Sequence, residues 1–217
     1  MSRKKRQLRK RFVVFCEGNT EYNYIDKMRR RSDVVLAIEP VNMGGGGYAS
    51  FLEIVKTKTF YNCLAKFIVV DADRLLADKA EEKHFMELVD YCKRQNDLGT
   101  VPHFLIVNQP DFEYIACLHD ERYNGKDTHQ FILKIWDYKQ MSEFKADEHI
   151  YDFLSKGKCS VSNMLQSLQP GTQMIVNEYH INKTQFDIGI SKTEVFMNNA
   201  HLKGSNINEF FDVIDWQ

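Results

Sequence analysis

The chain has 217 residues, of which 43% are hydrophobic and 27% charged, with a net charge of −1; this is the balance of a globular protein with a substantial core. No apolar run approaches the ~20 residues of a membrane span, and no apolar stretch follows the basic N-terminus as in a secretory signal, so a cytoplasmic protein is expected. The five cysteines contain no CxxC pair and the seven histidines form no cluster, which argues against a disulfide framework or a thiolate zinc site.

The net charge hides an asymmetry. Residues 1–31 hold eleven Lys/Arg against three Asp/Glu, a balance of +8, which leaves −9 for the rest. Residues 1–11 form a basic arm with Lys4, Lys5 and Arg6 at its centre. Such a run either contacts phosphates or serves as a solvated arm.

Phe12 to Cys16 is a short apolar run, the pattern of a strand buried on both faces. A helix follows to about Arg30, with Thr20 as its candidate cap and Tyr24, Ile25 and Met28 as its apolar stripe. A second strand is expected from Asp33 in "DVVLAIEPV". It runs into four glycines, Gly44 to Gly47, and a helix through Lys58. The third strand, "KFIVVDAD" from Lys66, is the most hydrophobic. A charged helix follows from Lys79 to Gln95, and a fourth strand spans Pro102 to Val107.

This alternation marks an α/β fold, a Rossmann-like and mainly parallel four-stranded sheet flanked by helices, over residues 12–120. Residues 121–217 read as a mostly helical extension packed on it, with one extended stretch at "QMIVNEYHI" and a closing helix in "SNINEFFDVID". Parallel sheets place working residues outside the carboxyl ends of their strands. Glu17, the glycine run, Asp71, Asp73 and Asn108 all fall at such ends, so the sheet carries them to one rim.

Asp71 and Asp73 stand at i and i+2 after a strand. If strand geometry persists, both carboxylates point to one face. Two acids held that close need a cation, and Mg²⁺ is the hard, oxygen-seeking one at hand. The plainer reading is a loop start that caps the next helix. Gly45 and Gly46 either nest a phosphate with their amides or supply flexibility only. Arg74 suits a phosphate contact or a surface position. Lys139 and Lys192 are weaker phosphate candidates. Tyr22, Tyr24, Tyr48 and Tyr61 suit either base stacking or the core, and Cys16 in a buried strand is expected to be inert.

The stretches "VVFCEGNTEYNYI", "MGGGG" and "FIVVDADR" resemble the Toprim fold of topoisomerases, primases and related nucleases. Cys16-Glu17-Gly18 with Glu21 and Tyr24, the "NQPDFE" stretch and the looser "KGSNINEFF" are similar to one branch, the RloB-like proteins found beside restriction systems and in phage-defence islands. The resemblance implies a metal-dependent nuclease acting on RNA or DNA. Glu17 would be general acid/base or metal ligand, and Asp71 and Asp73 ligands of Mg²⁺, with Mn²⁺ as a substitute. Glu113 would be an extra ligand, and Glu21 and Asn108 positioning groups. A defence-system partner protein fits the same picture. Two rivals stay open: a non-catalytic nucleic-acid or nucleotide-binding module, and a subunit that docks a partner such as an ATPase.

Overall fold

The structure, a computed structural model, describes residues 10–30, 37–75, 78–182, 184–185 and 187–214. Lys4, Lys5 and Arg6 of the basic arm lie outside these residues, as do positions 33–36 of the expected second strand.

The first strand, β1 (Arg11–Cys16), is buried from Phe12 onward. Alternation along it feeds two cores. Phe12, Val14 and Cys16 pack on one side of the sheet, Val13 and Phe15 on the other. The same split recurs in β3 (Cys63–Asp71), with Phe67 and Val69 against Ile68 and Val70. An apolar run with no polar positions is what such a doubly covered strand requires. Arg11, assigned to the arm by sequence, begins the strand, and its guanidinium pairs with Glu39.

Helix α1 (Asn19–Met28) covers the first side through Tyr24, Ile25 and Met28. It starts one residue before Thr20, behind Gly18, whose N–H donates to Glu21 Oε2 at 3.3 Å. Thr20 is therefore not the cap. Its hydroxyl turns inward to Glu113 instead. Strand β2 (Ala37–Asn42) leads through the glycines into α2 (Tyr48–Thr57), which packs with α3 (Lys79–Asp97) on the second side. Strand β4 (His103–Gln109) and the short α4 (Phe112–Cys117) close the first half.

The sheet has five strands in the order β2-β1-β3-β4-β7. The first four are parallel. The fifth, β7 (Gly204–Ser205), pairs antiparallel with Asn108 and Gln109. A sheet of four strands was expected. The added edge strand comes from the second half of the chain, and at two residues it is too short to carry a pattern.

In the second half a β-hairpin joins the helices expected there. Short helices α5 (Thr128–Lys134), α6 (Met141–Ala146), α7 (Ile150–Phe153) and α8 (Val161–Ser167) are followed by a β-hairpin of β5 (Ile175–Asn182) and β6 (Asp187–Val195). The chain ends its described part in α9 (Ile207–Ile214), whose Phe210 lies edge-on to Phe67 of β3. The second half is thus built into the core under β3 and β4. Among the described residues, no helix is long and apolar enough to cross a membrane, and all five cysteines are free.

All four residues from Gly44 to Gly47 take positive φ, which L side chains rarely adopt. At Gly47 (φ 89°) a Cβ would also stand 2.7 Å from Glu81 Oε1, the carboxylate whose other oxygen accepts the Tyr48 N–H at 3.1 Å. Gly47→Ala is expected to destabilise the protein by about 1–3 kcal/mol, read as a lower urea midpoint. A midpoint equal to the wild type's would show that the glycine is dispensable there.

Candidate active site at the carboxyl rim of the sheet

Register brings the strand ends together. Cys16 lies opposite Asn42 and Val69, and Asp71 opposite Asn108. Past its strand, Glu17 still gives its N–H to Val69 O (3.2 Å), while its side chain reaches across to β3. There Glu17 Oε2 accepts the Asp71 N–H at 2.8 Å. The Glu17 carbonyl accepts the Gly45 N–H at 2.9 Å. The glycine loop is thus tied to the strand end, and that amide is already spent. The Gly44 N–H is likewise held, by Asn42 Oδ1.

Asp71 Oδ1 accepts from Asn108 Nδ2 at 3.2 Å, and Asn108 Oδ1 accepts from Ser205 Oγ at 3.0 Å. Strand β7 therefore orients the β4 asparagine, which orients the β3 acid. Asp73 does not share this environment. Strand β3 ends at Asp71, and the Ala72 N–H turns to the carbonyls of Asn108 and Pro110. Asp71 is half-buried and Asp73 exposed, so the expected common face through continued strand geometry is not formed.

Two further acids lie beside them, both buried. Glu21 sits in the first turn of α1 and Glu113 in the first turn of α4. Glu113 Oε1 accepts from Thr20 Oγ1 at 3.3 Å and pairs with Lys145 Nζ at 3.2 Å. Asp111, which caps α4, accepts the Tyr114 N–H at 2.9 Å.

The electrostatics follow from burial and from like charges acting on one another. Burial pushes Glu17 up to about 7; the hydrogen bond from the Asp71 amide opposes it, the charges of Asp73 and Glu113 add to it, and Arg74 counters. Glu21 rises to about 8, chiefly by burial, with Glu113 and Glu17 adding. Asp71 is raised well above the ordinary carboxylate range by burial, then by Glu21, Glu17 and Glu113. These acids form one electrostatic unit, and Arg74 belongs to it.

The structure also brings in residues that the sequence did not single out for these roles. The Tyr48 hydroxyl donates to the Asp71 carbonyl, which fixes the tip of β3 against α2. Thr20, Ser205 and Lys145 join as described. A tyrosine directly after four glycines was a usable signal, whereas Lys145 in "EFKAD" carried none. Tyr24 is a core residue, edge-on to Phe112 and Tyr151, and Tyr61 is exposed. Lys192 is taken up by Glu194.

Among the described residues no group of three or more His, Cys, Asp or Glu side chains is arranged to hold a metal ion as it stands. Glu17 is turned to the Asp71 amide, Glu113 to Thr20 and Lys145, and Asp73 to solvent. The donor chemistry nonetheless fits a hard divalent cation. It is all oxygen, and it carries several acids whose mutual repulsion a cation would relieve.

Fold and rim together define an α/β protein with a mostly parallel five-stranded sheet and an acidic carboxyl edge. No protein-family model, no curated protein and no solved structure matches the chain.

Proposed function

We propose that the protein is a Mg²⁺-dependent nuclease, also served by Mn²⁺, that cleaves phosphodiester bonds of RNA or DNA. Its setting is bacterial anti-phage defence, that of the RloB-like proteins it resembles. The observation that carries this reading is the convergence of Glu17 and Asp71 from neighbouring strand ends, with Glu17 Oε2 accepting the Asp71 backbone N–H at 2.8 Å, within a group of buried acids that raise one another's pKa.

Glu17, Asp71 and Asp73 are the residues that would hold the cation, with Glu113 as a further ligand. A bound Mg²⁺ supplies neutralisation of the charge that develops on the phosphoryl oxygens. As the alternative to a ligand role, Glu17 held on the Asp71 amide, with its carboxyl raised by burial to about 7, suits a general acid/base. Asn108 and Ser205 hold Asp71 in place, and Glu21 keeps the turn at Gly18 closed. Arg74 and the arm with Lys4, Lys5 and Arg6 contact substrate phosphates.

The test is incubation with tRNA, single-stranded RNA and duplex DNA, with Mg²⁺, Mn²⁺ or EDTA. Cleavage should need the metal and should fall by roughly 10²–10⁴ in Asp71→Asn/Asp73→Asn. No cleavage of any substrate, even with a cell extract to supply a partner, would defeat the reading in favour of a non-catalytic binding subunit.

A further inference from the structure

We propose that Lys145 is a phosphate-contacting residue of this rim: its ammonium rests on Glu113 in the free protein and moves to a non-bridging oxygen of the substrate's phosphodiester on binding. The inference rests on the nuclease reading above and names the group that receives the polyanion.

A nucleic acid approaching this edge meets the exposed carboxylate of Asp73 and, at the border of the site, that of Glu113. A cation carried by the protein itself is needed to lower that barrier. Lys145 reaches this edge from the second half of the chain, with Nζ 3.2 Å from Glu113 Oε1. Its side chain is 54% exposed while that of Glu113 is 7% exposed. The pair therefore straddles the border of the site, with the ammonium on the open side. A ligand can take Nζ without entering the core, and Thr20 Oγ1 still donates to Glu113 when Lys145 leaves.

The backbone beneath Lys145 is fixed. Its neighbour Phe144 is fully buried and packs against Trp136 and Tyr138. Lys145 is thus aimed at the rim by α6 and is not a freely sweeping surface lysine. Burial pulls its ammonium down, but Glu113 and, beyond it, Asp71 and Asp111 outweigh this and keep it protonated. A lysine acts on phosphate as a point charge, so its contribution must show in salt dependence. A lysine that served only to neutralise Glu113 would show it in stability.

The experiment compares wild type, Lys145→Met and Lys145→Arg, full-length, on a fluorescein-labelled single-stranded RNA and the DNA of the same sequence. Binding is read by anisotropy in EDTA over a salt series, with thermal melts alongside. Lys145→Met should weaken binding about tenfold and reduce the slope of log affinity against log salt by about 0.7, the value for one phosphate contact on a single strand. Lys145→Arg should restore both. An unchanged affinity and slope in Lys145→Met overturns the inference, as does an affinity loss at unchanged slope with a matching fall in melting temperature. In either case wild-type cleavage leaves the nuclease reading standing. If the wild type neither binds nor cuts any nucleic acid, that reading falls and the inference with it.

Discussion

Glu17→Gln is expected to make the protein more stable at pH 8 and, on the proposed nuclease reading, to abolish cleavage. Glu17 is 9% exposed, and its carboxyl gives up a proton near pH 7 when folded, against 4.5 for the free side chain. Between those values the folded state binds more protons than the unfolded chain, so stability falls as pH rises from about 4.5 to 7 and stays low above that. At 1.36 kcal/mol per pKa unit, the full cost is about 3 kcal/mol. Glutamine keeps the oxygen that accepts the Asp71 N–H and removes the charge. Part of the relief is shared with Glu21 and Asp71, which Glu17 also repels. The net gain at pH 8 is expected at about 1–3 kcal/mol, a rise of several degrees in melting temperature for a chain of this size. At pH 4.5 the gain should vanish. Mg²⁺ should stabilise the wild type at pH 8 and the variant much less. Equal melting temperatures of the two proteins at both pH values would rule out a strained carboxylate here. This is a familiar trade, in which a site keeps charge that the fold would rather lose.

The parts of this arrangement that were legible in the sequence share one property. Their environment is encoded by neighbours in the chain. Phe12–Cys16, Lys66–Val70 and Pro102–Val107 read as strands because their interiors, covered on both faces, are runs of apolar residues. Glu17 and Asp71 stood out because a carboxylate directly after such a run has no packing reason to be there. The shared face expected for Asp71 and Asp73 depended on strand geometry continuing to Asp73. Strand β3 instead ends at Asp71, and the Ala72 N–H finds Asn108 and Pro110, a turn made with β4 and invisible from "DAD" alone.

What stayed hidden depends on pairings across the fold. Thr20 was read as a local cap, yet its hydroxyl serves Glu113, 93 residues away. Ser205 reaches Asn108 over 97 residues. The hairpin was half seen. Its first strand, "IVNEYHIN", reads as extended, but the register shift between Glu178 and Tyr179 leaves an extra residue, Ser191, in the partner strand and breaks the alternation there. Strand β7 is two residues long, and only the open edge of β4 makes a strand of it.

Glu209 shows how the second half is fastened to that edge, and its loss should destabilise the protein markedly. Beyond Gln109 and Asn108, β4 has no further strand to pair with. Asn206 takes that place with its side chain: Oδ1 accepts the Val107 N–H at 2.9 Å, and Nδ2 donates to Leu105 O at 2.9 Å. Glu209 lies one turn on in α9 and holds three donors. Its Oε1 accepts the Asn177 N–H at 2.9 Å, and its Oε2 accepts from Asn177 Nδ2 at 2.5 Å and Asn206 Nδ2 at 3.2 Å. One buried carboxylate thus joins the hairpin, the sheet edge and the last helix. Glu209→Ala strips a partner from all three donors at once, each worth about 1–3 kcal/mol when buried and unsatisfied. A cavity of about 400 Å³ lined by Phe196, Asn206 and Glu209 lets water repay some of that, so the net loss is expected at about 3 kcal/mol. Glu209→Gln retains one acceptor and sets its NH₂ against a donor, for about half the loss. In Glu209→Ala, hydrogen exchange should speed first in β5 and β6, because they lose their tie to β4, while β1 and β3 remain protected until global unfolding. Uniform loss of protection, or an unfolding free energy within 1 kcal/mol of the wild type, would mean that apolar packing of Phe210 and Ile207 holds this end of the sheet without the carboxylate.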